Sequence, residues 1–388
     1  MTLRNTLLLT ASLLAVFLSA CSSVPDTKQG IAIKPIPTLA PSPIPTKYTE
    51  RSWQQIPAWQ QDQLLEGWQA WLNGCTKPRP SWVELCNEAK KLPLETAAIR
   101  EFLQSRFTPY QLSNPDGKET GLITGYYEPI YPGSLTRTAT ANQPVYAQPK
   151  DLITVALDEI YPELKGKRLR GRVVGNKLLP YPDRKSIVTN GLDAPALAWL
   201  TDPMDVQFLQ IQGSGRIQLA DGSQLRLGYA DQNGHPYKPV GRWLVEQQLM
   251  DASEVSMQSI KAWAQANPQR IDELLNSNPS YVFFRTLPES DKGPIGSLGI
   301  PLTAGYSIAV DPNTIPLGSL VFIATTRPDN DGGIHRLVAA QDTGGAIRGT
   351  VRADFFWGTG DAAGELAGKM KQEGRLWLLW PKGLMLPE

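Results

Sequence analysis

The sequence predicts a mainly β protein with flanking helices, its strands gathered into barrels rather than a doubly wound sheet. Three observations carry that expectation. Glycine and proline each occur 33 times in 388 residues, which divides the chain into short runs bounded by turns. From Gly121 onward those runs are β-rich, while helical periodicity is confined to tracts before and between them. The β segments are separated by helices without a fixed-period repeat. The length accommodates two compact domains, or one domain carrying a large insertion. Hydrophobic residues at 41% and charged residues at 19% describe an ordinary globular body. A formal net charge of +1 supplies no broad cationic field, which argues against nucleic acid as partner. His235 and His335 are the two histidines and no Cys-x-x-Cys occurs among three cysteines, so a metal centre has few ligands to draw on.

Residues 1–20 stand outside the predicted fold. Arg4 provides a positive charge and "LLLTASLLAVFLSA" an apolar stretch too short for a typical membrane span. The stretch ends in Leu18-Ser19-Ala20-Cys21, which resembles the lipobox of bacterial lipoproteins. That resemblance implies a signal peptide over 1–20 and a lipidated N-terminus at Cys21. It also implies export to the periplasmic face of a membrane, and Ser22 in place of aspartate matches the outer-membrane sorting pattern. Residues 21–50 carry Pro35, Pro37, Pro41, Pro43 and Pro45, an extended tether that excludes helix.

Helical spacing begins in "WQQDQLLEGWQAWLNGC", through Leu64, Leu65, Trp68 and Leu72. It recurs in "LETAAIREFLQSRF", through Ile99, Phe102, Leu103 and Phe107. Cys75 and Cys86 fall here. In an oxidising compartment they form a local disulfide, or they remain two buried thiols; spacing leaves both open. "GLITGYYEPIY", "RVVGNKLLPY", "VQFLQIQGSGRIQL" and "SQLRLGYA" read as short strand runs, with Asp221-Gly222 turning a hairpin. "VGRWLVEQQLM" and "SMQSIKAWAQANPQRIDELLNSN" return to helical spacing. "SYVFFRT", "AGYSIAVDP", "GSLVFIATT", "HRLVAAQDTGG" and "GRLWLLWP" then form a second β section.

Nucleophile chemistry is poorly supported, because Gly213-Ser214-Gly215 lacks the elbow pattern and histidines are scarce. Carboxylates remain: Asp311, Asp342, Asp354, Asp361 and Glu365. Asp311 precedes a proline in a turn-like segment, where bonding turn amides is as good a role as a site role. Asp354 precedes Phe355-Phe356-Trp357, and aromatic surroundings raise a carboxyl pKa, as an acid catalyst near neutral pH requires.

"DTGGAIRGTVRADFFWGTG" (342–360) resembles the aspartate-rich 3D segment of the membrane-bound lytic murein transglycosylase A family, with Asp311, Asp342 and Asp354 as its aspartates. "FTPYQL", "GLITGYYEP", "FLQIQGSGRIQL", "SMQSIKAW", "YVFFR" and "IPLTAGYSIAVDPNTIPLGS" agree in order from about Arg106 to Trp380. The resemblance implies exo-acting cleavage of the β-1,4 bond between N-acetylmuramic acid and N-acetylglucosamine in peptidoglycan glycan strands, leaving 1,6-anhydro ends. Asp354 takes the place of the catalytic acid/base, and no cofactor is implied. Asp342 either supports Asp354 or bonds the amides around Gly344-Gly345. Thr124, Tyr126, Tyr127, Gln212 and Ser214 match glycan-groove segments, with packing inside a strand as the other reading of each. Arg348 replaces a lysine and is open to a substrate contact or a surface ion pair. The implied fold is a double-psi β-barrel with a second β-barrel inserted: 51–127 as helical part and barrel start, 128–280 as insert, and 281–388 as barrel remainder. A peptidoglycan-binding wall protein without activity and a muramidase that adds water stay open beside the transglycosylase.

Overall fold

The computed structural model describes residues 47–164 and 166–387. The signal segment, most of the tether and Cys21 lie outside the described residues. In chain order, β1 (Tyr48–Glu50) leads to α1 (Leu65–Gly74), α2 (Val83–Ala89), α3 (Thr96–Arg106), β2 (Phe107–Leu112) and β3 (Gly121–Glu128). Next come β4 (Ile130–Ser134), β5 (Gln143–Tyr146), β6 (Ile153–Thr154), β7 (Arg170–Val174), β8 (Lys177–Pro180), α4 (Arg184–Asn190) and β9 (Ala196–Leu200). They are followed by α5 (Pro203–Gln212), β10 (Ser214–Gln218), β11 (Gln224–Gln232), α6 (Val240–Glu246), α7 (Met257–Ala266), α8 (Ile271–Asn276) and β12 (Val282–Leu287). The chain closes with β13 (Ser307–Val310), β14 (Leu320–Thr326), β15 (Gly333–Asp342), β16 (Ala353–Thr359), α9 (Asp361–Lys369) and β17 (Lys371–Pro381).

Two sheets divide the strands by sequence. The first runs β1-β2-β17-β14-β15-β13-β16-β3, and β17 also pairs with β3. The long β17 does both jobs: Lys371–Gly374 bonds β3 and Trp377–Pro381 bonds β2. The ring β17-β14-β15-β13-β16-β3 is thereby closed, which removes free sheet edges. Its core holds Val321, Phe322, Leu337, Ala353, Phe355 and Trp377, and α1 and α3 add Trp68, Trp71 and Phe102 to the same cluster. A Cβ at Gly67 would collide with the backbone oxygen of Leu337, so glycine is what lets α1 lie against β15. Cys75, just after α1, is disulfide-bonded to Cys86 of α2.

The second sheet runs β12-β11-β10-β4-β9-β5, and a parallel bridge between Ala147 and Phe284 joins its two ends. Its own core contains Phe208, Ile217, Leu227, Leu244 and Phe284. The predicted hairpin is present as β10 and β11, with Gly222 at positive φ in its turn. A small sheet, β6-β7-β8, stands apart.

Two sequence expectations are corrected. "VQFLQIQ" is not strand but the body of α5. Asp202 caps it by accepting the Met204 N–H at 2.8 Å, Pro203 occupies its first turn, and Gly213 ends it in the left-handed region. Burial on nearly every side made its pattern look like a strand. The long helical tract from Ser256 is broken, because Pro268 cannot continue α7 and the chain restarts as α8.

Candidate active site

Period-two alternation aims β16 both ways. Ala353 and Phe355 enter the barrel core, while Asp354 and Phe356 face outward. The register then builds a row across the strands. Asp342 stands opposite Ala309, Ala309 opposite Asp354, and Asp354 opposite Thr124. The two aspartates are therefore separated by one strand and one small side chain, about 9–10 Å between backbones. Asp354 sits on a strand, β16.

Thr124 Oγ1 donates to Asp354 Oδ1 at 2.6 Å and itself accepts from Arg352 Nη2 at 2.9 Å. Arg352, two residues before Asp354 on the same face, also reaches the carbonyls of Leu122 and Ala353. Burial pushes the Asp354 carboxyl up to about 6. The Thr124 hydrogen bond and the Arg352 charge oppose that rise, and the neighbouring Asp342 charge adds to it. Asp354 keeps part of its surface open to a cleft, although the protein around it strips most of its water.

Asp342 has a different environment. Its Oδ1 accepts from Ser297 N (2.9 Å), Ser297 Oγ (2.8 Å) and Thr343 N (2.9 Å), and its Oδ2 from Tyr126 OH (3.1 Å). Burial raises its pKa above the ordinary carboxyl value, and these four bonds oppose that rise without cancelling it. Asp311 is structural: it accepts from Asn313 N and Nδ2 through Oδ1 and from Gly349 N through Oδ2, tying β13 to the glycine loop. Arg348 donates to the carbonyls of Gly344 and Ile347, bracing the same loop.

Asp342 and Asp354 line one wall of a cavity of about 500 Å³, and Gln212 at the end of α5 and Ser214 at the start of β10 line another. Among the described residues no other carboxylate lines it. Thr124 and Tyr126 reach the site through the aspartates they bond and do not themselves line the cavity. Tyr127 points the other way. Its ring is buried beside Ala363 and Ala367 of α9, and only its backbone N–H touches the site side, donating to Gln212 Oε1 at 3.2 Å. Arg352 and Ser297 were missed from the sequence. A strand reading of "VRADFF" would have put Arg352 beside Asp354, since they are two residues apart. Ser297 lies in a loop with no local signal. Among the described residues no group of three His, Cys, Asp or Glu could hold a metal ion.

A closed barrel facing a second sheet across a cleft, with one desolvated carboxyl near neutral pKa, defines an acid–base enzyme for an elongated polar substrate. The MltA specific insert domain matches residues 122–285 and the 3D domain residues 306–380. Membrane-bound lytic murein transglycosylase A of Escherichia coli K12 is 32% identical over 288 residues, 72% of this chain and 71% of that one. The crystal structure of MltA from Neisseria gonorrhoeae superposes with a TM-score of 0.77 at 38% identity, covering 90% of this chain and 98% of that one. The lytic transglycosylase LtgG of Burkholderia pseudomallei is 43% identical, with a TM-score of 0.57 over 87% of this chain and 96% of its own. The chain belongs to the membrane-bound lytic murein transglycosylase A family.

Proposed function

We propose that this protein cleaves the β-1,4 bond between N-acetylmuramic acid and N-acetylglucosamine in peptidoglycan and leaves 1,6-anhydromuramyl ends, with Asp354 as both acid and base. The observation that carries the reading is the inequality of the two cavity acids. Burial raises both carboxyls, but Asp354, with a single hydrogen bond from Thr124, is lifted to about 6, whereas Asp342 is held by four donors as an acceptor. A glycosidase that adds water needs a second carboxylate free to attack the sugar or activate water, and Asp342 is not free. The muramyl C6 hydroxyl needs no such help, since it is already held on the reacting ring.

Protonated Asp354 donates to the glycosidic oxygen as the C1–O bond breaks, and positive charge develops on the muramyl ring. The carboxylate then takes the C6 hydroxyl proton while O6 bonds C1, which returns Asp354 to its starting state. Asp342 faces the same cleft and offers negative charge to the oxocarbenium-like ring. Gln212 and Ser214 serve the polar edges of the sugars; Thr124 orients Asp354 and Tyr126 orients Asp342. In this reading the first sheet is a double-psi barrel built from the chain up to β3 and from β13 onward, and the glycan-groove insert runs from β4 through β12, so the boundary expected at 280/281 shifts past Leu287. The segment between a lipid at Cys21 and β1 then links the barrel to the periplasmic face of the outer membrane, and the tether expected over 21–50 ends before Tyr48, which is paired in the sheet.

Digestion of purified sacculi followed by mass spectrometry of product ends tests the chemistry. Anhydro ends are expected; reducing ends would indicate a muramidase, and binding without release a wall-binding protein. The pH dependence tests the acid. The reaction begins from protonated Asp354, so the rate falls as pH rises through about 6. Arg352→Met removes a cation that favours the carboxylate, so the falling limb moves to higher pH, on the order of one unit. A limb that moves down would assign the titration to another group.

A further inference from the structure

The cavity wall opposite Asp354 carries a second feature that the chemistry above leaves unused. Ser214 of β10 stands opposite Gly228 of β11, and Gly228 stands opposite Arg285 of β12. All three line the cavity. Gly228 projects nothing, and a Cβ there would come within 2.9 Å of Leu287 Cδ1, so the row forms a trough from Ser214 to Arg285. Arg168, in the segment leading into β7, and the half-exposed Tyr229 line the same cavity.

The arginines on and beside this sheet fall into two groups. Arg170 is paired with Asp231 at 2.9 Å and Arg216 with Glu128 at 2.9 Å. Arg226 is spent on the carbonyls of Pro288, Lys292 and Gly293. Arg168 and Arg285 are exposed and, among the described residues, make no ion pair. The carboxylates of the cavity are both on the opposite wall, and one of them is fully bonded. Two guanidiniums without an ion pair on one cavity wall, Arg285 at the end of the trough and Arg168 in the same lining, suit an anion that the ligand must bring.

The sugar backbone of peptidoglycan is neutral, whereas the lactyl side chain of each muramyl residue ends in a carboxylate or in a peptide stem bearing carboxylates. We propose that Arg168, Arg285 and the Gly228 trough form a subsite for the carboxylates of the muramyl side chain. The proposal rests on the glycan reading of the cleft. The subsite orients a strand by the face on which its muramyl side chains project, and so presents the muramyl–glucosaminyl bond, rather than its alternate, to Asp354.

Calorimetric binding in the Asp354→Asn background tests this with three ligands: stem-bearing strands, amidase-stripped strands with a free lactyl carboxylate, and neutral chitin oligomers. Replacing both Arg168 and Arg285 by Gln is expected to weaken binding of the carboxylate-bearing ligands about tenfold at low salt. The difference should shrink at 1 M salt, where the screening length is roughly 3 Å. Loss confined to stem-bearing strands locates the carboxylate on the peptide; loss that extends to stripped strands locates it on the lactyl group. Chitin-oligomer affinity is the control for a folded cleft. Equal loss on chitin oligomers, or no loss on any ligand, overturns the subsite. Failure of the parent protein to bind any of the three would instead overturn the glycan reading itself.

Discussion

Asp354→Asn is expected to lower turnover on sacculi about 10³-fold while glycan affinity changes less than about twofold. Asparagine keeps the shape and can still accept from Thr124 Oγ1, the 2.6 Å contact that orients the side chain, but it cannot give up a proton to a leaving oxygen. The same substitution should stabilise the fold, and the pH dependence of that gain is diagnostic. Burial raises the Asp354 pKa to about 6 from 3.8. The unfolded chain therefore releases this proton at lower pH than the folded one, and stability is lost as pH rises between those values. Above about pH 6 the folded protein carries a desolvated charge that Asn removes, a gain on the order of 2 kcal/mol. Near pH 3.5 both states are protonated and the gain vanishes. Thermal melts of the two proteins at pH 4 and pH 8, beside turnover, separate this account from a merely structural one. Loss of activity without the pH-dependent gain in melting temperature would remove the reason for placing the proton on Asp354.

What could be read in the residues was local. The Asp221-Gly222 turn signals itself through its residue types, and the helices of the N-terminal part through their aromatic spacing. Apolar content misled where an element is buried on several sides, as in α5. Its capping residues, Asp202 and Gly213, were the better guide and were outweighed by "VQFLQIQ". The catalytic row could not be read locally, because Asp342, Ala309, Asp354 and Thr124 come from distant strands whose register is set by the barrel. The residues themselves already assigned Asp342 and Asp354 unequal roles, through the aromatic neighbours of Asp354, but not the groups that make them unequal. That difference arises largely from donors on other segments, Ser297 and Tyr126 around one and Thr124 around the other, with Arg352 two residues from Asp354 on its own segment. Tyr127 shows the converse, a residue matched by motif that the pleat turns away from the cavity. For Cys75 and Cys86, spacing left two outcomes and the approach of α1 and α2 selects the bond.

Gly121→Ala should damage both stability and activity, though Gly121 touches no substrate group. It opens β3 directly beside the segment that enters β16, and an added Cβ would collide with the backbone oxygen of Val351. The obstacle is main chain on both sides, so no rotamer relieves it; one strand must move. The register gives that movement a consequence. Three residues further along β3 lies Thr124, opposite Asp354, and the 2.6 Å hydrogen bond between them needs the two strands at normal spacing. Overpacking of this kind costs about 3 kcal/mol, which lowers the melting temperature on the order of 5–10 °C. At temperatures where the variant remains folded, kcat should fall more than glycan affinity. The disturbance reaches Asp354 through Thr124, whereas Ser214 stands on the other sheet. Gly125→Ala offers the comparison: its Cβ would meet Trp357 and Ala367, on the α9 side of the same strand. If the two variants lose equal stability but only Gly121→Ala loses kcat beyond it, the spacing of β3 and β16 controls the acid. If kcat falls alike in both, general loosening of β3 accounts for the effect.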